Sequence, residues 1–324
     1  MKIFVSTVPF ADVDPRPREV LREVGAELVV NPLNRKLTES DLDALIGDYE
    51  ILIAGTESIS ESVLEKAKRL KLIVRVGIGL DSVDLRAARK RDILVSYTPD
   101  APSPAVAELT IGLMIDLLRS THVSNLRMHK GEWYRYFGRR LSEVIIGVIG
   151  AGRIGSRVIK HLRGFNCRQI LVNDIDTQIS LPYDPTCTLE RTTKEQIYQE
   201  AEVISLHVPL TPKTRSLISE KELGQMRPDA LLINTSRGGI VNEQDLFEAL
   251  KKQQIGGAAI DVFEQEPYTG NLSTLENCLL TAHMGSMSVD CRTQMEIEAC
   301  QEAVRFIKGE PLESLVPDAE YNHG

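Results

Sequence analysis

Three side chains able to hold a carboxylate or move a proton stand at similar places in the second half of the chain. They are Arg237 in Ile233-Asn-Thr-Ser-Arg-Gly-Gly239, Glu266 in Asp261-Val-Phe-Glu-Gln-Glu-Pro267, and His283 in Leu280-Thr-Ala-His-Met-Gly-Ser286. Each follows an apolar run that reads as a buried strand, and the carboxyl ends of parallel strands are where open α/β sheets hold ligands. An arginine fork takes a carboxylate in two hydrogen bonds and polarises an adjacent carbonyl. Imidazole titrates near physiological pH, so a histidine can carry the proton that a hydroxyl must lose. A carboxylate on the other ring nitrogen fixes the tautomer. On spacing alone, Glu264 or Glu243 would serve as well as Glu266. Singly, an arginine is more often an exposed ion-pair residue and a histidine a structural one. Together the three equip a site for reversible hydride transfer.

Such chemistry needs a hydride carrier, and a second constellation supplies the place for one. Val144-Ile-Ile-Gly-Val-Ile-Gly150-Ala-Gly152-Arg-Ile-Gly155 joins an apolar, β-branched run to a helical stretch. At such a turn Gly150 permits the bend, Gly152 lets a pyrophosphate approach the backbone, and Gly155 lets helix and strand pack closely. Arg153 and Ile154 open the helix, whose N-terminal N–H groups and positive dipole end face the phosphates. A second apolar run, Gln169-Ile-Leu-Val-Asn173, leads to Asp174, which can accept hydrogen bonds from the ribose hydroxyls. A 2′-phosphate would meet Asp174 and Asp176 with no Arg or Lys before Arg191. NAD is therefore expected rather than NADP.

Strand-like and helical stretches alternate almost throughout, which predicts a parallel α/β architecture in two series. The first has strands at residues 2–6, 26–30, 51–54, 71–76 and 93–96, with helices near 17–24, 39–45, 61–69 and 85–90. The second has strands from 144 and at 169–173, 203–207, 230–234, 257–261 and 278–281. Between them, a proline-rich turn at 98–104 precedes one long amphipathic helix, 105–128, and a last helix covers 289–308. If that last helix returns to the first series, the first domain is discontinuous and a cleft between the domains holds the ligands.

The 324 residues suffice for two domains, and 42% hydrophobic with 26% charged residues is a globular composition. No apolar run has membrane-span length, and the N-terminus reads as a strand rather than a signal peptide, so a cytoplasmic protein is expected. Five cysteines without a C-x-x-C pair fit a reducing compartment, and no metal is expected from their spacing to the six histidines. A net charge of -8 without a basic block gives no support for nucleic-acid binding.

Seven segments carry a family resemblance, in order: Val74-Arg-Val-Gly-Ile-Gly-Leu-Asp-Ser-Val-Asp84, Ala105-Val-Ala-Glu-Leu109, Gly150 to Gly155, Ser205-Leu-His-Val-Pro-Leu-Thr-Pro-Lys-Thr214, Asn234 to Gly239, Gly257 to Pro267, and Thr281 to Ser286. Over nearly its full length the chain resembles the D-isomer-specific 2-hydroxyacid dehydrogenase family, in a phosphoglycerate dehydrogenase-like short form. The resemblance implies two parallel-sheet α/β domains, a Rossmann NAD-binding domain (101–287) inserted into a flavodoxin-like substrate domain (1–100 and 288–324). It makes Arg237, Glu266 and His283 the catalytic Arg, Glu and His. Asp261 would hold the nicotinamide amide, and Val208, Pro209, Thr214, Thr235 and Gly285 would line the cofactor. The substrate loop falls on Arg75, Val76, Gly77, Ile78 and Gly79, whose backbone N–H groups suit a carboxylate; on sequence alone its glycines equally suit a tight turn before a helix.

An Arg at the position of Arg75 helps bind phosphate in members that use 3-phosphoglycerate. A second Arg is usual after the third strand, where this chain has Ala54-Gly-Thr-Glu57, and Pro102 stands where many members have Asn. No C-terminal regulatory domain is expected after the helix ending near 308. The implied substrate is a small 2-hydroxy or 2-keto acid, such as phosphoglycerate, glycerate, glyoxylate or a lactate-like acid, turned over by a homodimer. The competing class is a regulator of the same fold that binds NAD(H) as a signal.

Overall fold

A computed structural model of the protein describes residues 1–178 and 187–322. The chain divides into two compact units, Met1–Pro102 with Met287–Gly324, and Ser103–Ser286. The first unit carries β1 (Lys2–Val5), α1 (Arg16–Arg22), β2 (Glu27–Val30), α2 (Glu39–Leu45), β3 (Ile51–Ala54), α3 (Glu61–Lys66), β4 (Leu72–Arg75), α4 (Leu85–Lys90) and β5 (Leu94–Tyr97). The second carries α5 (Ser103–Arg119), α6 (Thr121–His129), β6 (Ile145–Ile149), α7 (Arg153–Arg163), β7 (Gln169–Asn173), β8 (Thr188–Arg191), α8 (Lys194–Glu200), β9 (Val203–Leu206), α9 (Glu220–Leu223), β10 (Leu231–Asn234), α10 (Glu243–Lys251), β11 (Gly257–Ile260) and β12 (Cys278–Leu280). The last helix, α11 (Val289–Lys308), belongs to the first unit.

Both sheets are wholly parallel. The first runs β2-β1-β3-β4-β5, the flavodoxin order; its central strands β3 and β4 are buried on both faces, as parallel sheets require. Helix α11 is fastened to this sheet by Glu302, 2% exposed, whose carboxylate accepts from Ser96 Oγ (2.6 Å), Arg305 Nη1 (2.9 Å) and the Glu313 and Ser314 N–H groups (both 3.1 Å). A buried charge satisfied by four donors is tolerated where an unpaired one would not be.

The second sheet runs β12-β11-β10-β9-β6-β7-β8, the Rossmann order 3-2-1-4-5-6 with one further strand. Its two faces bury separate clusters, one including Met114, Ile146, Val158 and Ile233, the other Ile197, Ile204, Leu232 and Leu246.

Two elements differ from the sequence expectation. Strand β8 has no counterpart in it, because Thr-Leu-Glu-Arg alternates exposed and half-buried residues at a sheet edge and lacks an apolar run. The single helix expected over 105–128 is two, α5 and α6. Ser120 between them takes the left-handed conformation (φ 52°), and Arg139 N–H donates to Leu118 O (3.0 Å), drawing residues 138–139 across the end of α5. Gly138 makes that approach possible, since a Cβ there would lie 2.4 Å from Leu118 O. Asp116 then starts the new helix by accepting from Thr121 Oγ1 and from His122 N–H (2.8 Å).

Candidate active site

The glycine turn has the geometry its spacing predicts. Gly150 follows β6 with φ 93°, and a Cβ there would lie 2.5 Å from His207 O. A Cβ at Gly155 would lie 1.9 Å from Gly150 O, so helix α7 rests directly on the turn. Gly152, which caps α7, has nothing within 4 Å of its notional Cβ. Two glycines are thus required by packing, and the third leaves space beside helical N–H groups that have no intrahelical acceptor. That is a cradle fit for a pyrophosphate. Asp174 accepts from Ala151 N–H (2.6 Å) through Oδ2 and from Asp176 N–H (2.8 Å) through Oδ1, which ties the acidic residue to the turn while each oxygen keeps a lone pair for a ribose hydroxyl.

The end of β9 lies against the glycine turn, with Val208 Cγ1 3.0 Å from the notional Cβ of Gly150. Val208 and Pro209 follow it, and Thr214 Oγ1 donates to Pro209 O (2.6 Å), closing that loop. Thr235, 5% exposed, shares a hydroxyl hydrogen bond with Thr110 on α5 (2.8 Å). His207 is a participant that the sequence reading missed, although it lies inside the quoted Ser205-Leu-His-Val-Pro segment. Its Nε2 meets Ser205 Oγ (2.8 Å), Nδ1 is buried without a partner, and burial pushes the imidazole down to about 3. It is a neutral imidazole packed beneath the glycine turn.

Arg237, Glu266 and His283 follow the adjacent strands β10, β11 and β12. Gly238 lets the first two loops touch, because a Cβ there would lie 2.0 Å from Phe263 O. Arg237 donates from Nη1 to Ser236 O (2.6 Å), and Asn234 Nδ2 donates to Arg237 O (2.9 Å), fixing the turn that presents the guanidinium. His283 Nδ1 lies 3.0 Å from both carboxylate oxygens of Glu266, and Phe263 N–H donates to Glu266 Oε1 (3.2 Å). Of the other two carboxylates open on spacing, Glu243 accepts from the Glu264 backbone N–H (2.7 Å), and it is Glu266 that meets the imidazole. Since Nδ1 faces a carboxylate, it carries hydrogen, which leaves Nε2 as the ring nitrogen not engaged by Glu266.

His283 sits at φ 51°, unusual for a side chain with a Cβ, and Asp261 holds it there. Asp261, 1% exposed, accepts His283 N–H on its carbonyl (2.8 Å), Thr281 Oγ1 (2.6 Å) and Met284 N–H (2.7 Å) on Oδ1, and Gly285 N–H (2.9 Å) on Oδ2. Three of the roughly four carboxylate lone-pair sites are spent inside the loop, which leaves one for a ligand amide.

The substrate loop expected at 75–79 lies in the first unit. Val76 N–H donates to Ala54 O (2.8 Å) and Gly77 N–H to Thr98 Oγ1 (2.7 Å), so a ligand carboxylate would use the N–H groups of Ile78 and Gly79. Gly77 has φ 136°. Arg75 is 6% exposed and its Nη1 folds back onto Val76 O, so the guanidinium is not displayed as a phosphate-binding cation would be.

The family model described as "D-isomer specific 2-hydroxyacid dehydrogenase, NAD binding domain" matches residues 111–285. The chain is 36% identical over 309 residues to D-3-phosphoglycerate dehydrogenase of Methanocaldococcus jannaschii, covering 92% of this chain and 56% of that one. The chain belongs to the D-isomer-specific 2-hydroxyacid dehydrogenase family. It is also 34% identical over 276 residues to glyoxylate reductase of Thermococcus litoralis, covering 81% of each. The structure of D-lactate dehydrogenase from Aquifex aeolicus, complexed with NAD and lactic acid, superposes with a TM-score of 0.82 at 26% identity, covering 98% of this chain and 99% of that one. The chain spans about half the length of the phosphoglycerate dehydrogenases it matches. Among the described residues, no group of three or more His, Cys, Asp or Glu could hold a metal, and no helix is long and apolar enough to cross a membrane.

Proposed function

We propose that the protein is an NAD-dependent dehydrogenase that interconverts a small D-2-hydroxy acid and its 2-keto acid. The observation that carries this reading is the Glu266–His283 pair, two 3.0 Å contacts on Nδ1, held on a loop that Asp261 clamps beside the Arg237 turn. NAD, when bound, supplies or takes the hydride at C2. Arg237 holds the substrate carboxylate and polarises the C2 carbonyl. His283 Nε2 gives its proton to the C2 oxygen during reduction and takes it back during oxidation, while Glu266 keeps the ring oriented and stabilises the charge that the ring carries. Asp174 favours NAD by bonding the ribose hydroxyls, and the last lone pair of Asp261 accepts from the carboxamide.

The test is spectrophotometric: NADH absorbance is followed with glyoxylate, hydroxypyruvate, pyruvate and 3-phosphohydroxypyruvate. Loss of absorbance with at least one acid is expected; tight NADH binding without turnover on any of them would favour a nucleotide-sensing regulator instead.

A cytoplasmic homodimer completes the reading. Helix α6 buries none of its residues, and Trp133 (75% exposed), Tyr134 and Phe137 are displayed just beyond it. Such a run of exposed aromatic side chains suits coverage by a second copy. Light scattering should give twice the chain mass, and replacing Trp133 and Phe137 by serine should give monomers.

A further inference from the structure

Between Val106 and Leu118 the buried residues of α5 are apolar with one exception, Thr110, which is 0% exposed. Valine would fill the same space, and a hydroxyl buried away from water costs stability unless it finds partners. Thr110 finds two. Its Oγ1 donates to Val106 O (2.8 Å), one turn back along the helix, and lies 2.8 Å from Thr235 Oγ1. A hydroxyl has one hydrogen, so with that of Thr110 spent on Val106 the second bond runs from Thr235 to Thr110. The hydrogen of Thr235 is thereby committed to α5.

Thr235 belongs to the turn after β10 that presents Arg237. Its neighbours there bond among themselves: Asn234 Oδ1 accepts from the Ser236 N–H (3.1 Å) and from Ser236 Oγ (2.7 Å), and Asn234 Nδ2 donates to Arg237 O (2.9 Å). Those bonds give the turn its shape. The bond from Thr235 ties that shape to a helix 125 positions earlier in the chain. The same stretch of α5 also reaches the loop of His283, since a Cβ at Gly285 would lie 3.2 Å from Val106 Cγ2. One helical turn therefore bears on both loops, and these carry the side chains that the proposed reaction uses together: half-buried Arg237 for the carboxylate and His283 for the C2 oxygen.

We propose that Thr110 is a positioning residue: by accepting the Thr235 hydroxyl it sets where the Arg237 guanidinium stands, and with it the affinity for the substrate carboxylate. This rests on the hydride-transfer reading above, in which Arg237 takes that carboxylate. Removing the Thr110 hydroxyl leaves the hydrogen of Thr235, a residue 5% exposed, without its acceptor, and a buried donor left unpaired turns to another acceptor. The 234–237 turn shifts with it. The Ala151–Asp174 bond and the Glu266–His283 pair make no bond to Thr110 and stay as they are.

The experiment compares wild type with Thr110→Val, which keeps the shape and loses the hydroxyl, and with Thr110→Ser, which keeps the hydroxyl and loses the methyl group. Oxamate, an unreactive analogue of a 2-keto acid, is titrated calorimetrically into the NADH-loaded protein, and KM and kcat are measured with the acid that is turned over. Thr110→Val should bind oxamate about tenfold more weakly and raise KM by a similar factor, with kcat and NADH affinity changed by less than about threefold. Thr110→Ser should keep wild-type values. A role in packing predicts the reverse order, valine tolerated and serine impaired; that order, or unchanged oxamate binding in Thr110→Val, overturns the proposal. Should Thr110→Val not fold, Thr235→Val breaks the same bond from the other side without orphaning a donor. It should weaken oxamate binding by about as much, and wild-type affinity there overturns the proposal. If wild type binds no oxamate and turns over no acid, the hydride-transfer reading fails and amide hydrogen exchange decides the positioning. Residues 234–239 should then exchange about tenfold faster in the folded variant while residues 257–267 do not change, and equal exchange overturns it.

Discussion

Gly152 and Gly155 lie three residues apart in one turn, yet replacing each by alanine should have opposite consequences. At Gly155 the new Cβ would lie 1.9 Å from Gly150 O, well inside a carbon–oxygen contact of about 3.3 Å. The obstacle is backbone, so helix α7 must lift from the turn by more than about 1 Å. Overpacking of this kind costs about 1–3 kcal/mol, and at about 2–4 °C per kcal/mol the melting temperature should fall by roughly 2–12 °C. At Gly152 the Cβ meets nothing within 4 Å, and the backbone (φ -69°, ψ -150°) admits alanine. The lower entropy of the unfolded alanine chain contributes about 0.4–1 kcal/mol and the loss of a glycine N-cap costs a similar amount, so stability should stay within about 1 kcal/mol. Its penalty falls on the cofactor, because the methyl group fills the space the pyrophosphate needs. NADH affinity should drop at least about tenfold, or about 1.4 kcal/mol. Circular dichroism melts and NADH fluorescence titrations read the two quantities separately. Wild-type NADH affinity in Gly152→Ala would refute the cradle, and an unchanged melt in Gly155→Ala would refute the rigid contact.

Other substitutions probe the remaining site. His283→Ala should cut turnover by about 10² or more with NADH binding little changed; near-normal rates would remove it from the proton path. Asp174→Ala should raise the Michaelis constant for NAD more than that for NADP, and an unchanged preference would separate Asp174 from the ribose. Burial pushes His207 down to about 3, against about 6.5 in the unfolded chain, so the unfolded state takes up the proton first as pH falls. Its contribution is therefore intact above about pH 6.5 and is lost between 6.5 and 3, at up to about 1.4 kcal/mol per pH unit. Urea midpoints at pH 7.5 and 5 should drop further for wild type than for His207→Asn by up to about 2 kcal/mol, and parallel drops would contradict a buried neutral imidazole.

Much of the site was legible in the chain because local spacing is enough for it. The glycine fingerprint, Asp174 and the residues following β10, β11 and β12 sit at fixed offsets from apolar runs, and the alternation of strand and helix specifies parallel sheets. Local pattern also misled, and for physical reasons. The 105–128 stretch has a continuous helical pattern, but the chain at Gly138–Arg139, distant in sequence, takes the carbonyl of Leu118 and ends α5. Strand β8 is an edge strand made by pairing with β7, not by its own hydrophobicity.

What the sequence determined by itself was the inventory: two series of strands, a turn that admits a pyrophosphate, and an Arg, a Glu and a His at strand ends. The choice among carboxylates belonged to the tertiary structure. Glu243, Glu264 and Glu266 are interchangeable by spacing, and only folding brings Glu266 to 3.0 Å from His283. In the same way Arg75 is a cation in the sequence and a buried clamp on its own loop in the fold, and the Glu57 carboxylate is buried against Ser6, which follows β1. Composition and periodicity record what each residue is and which way its element faces. Which charge is displayed, and which is neutralised inside, depends on partners tens or hundreds of positions away, and those exist only once the sheets have formed.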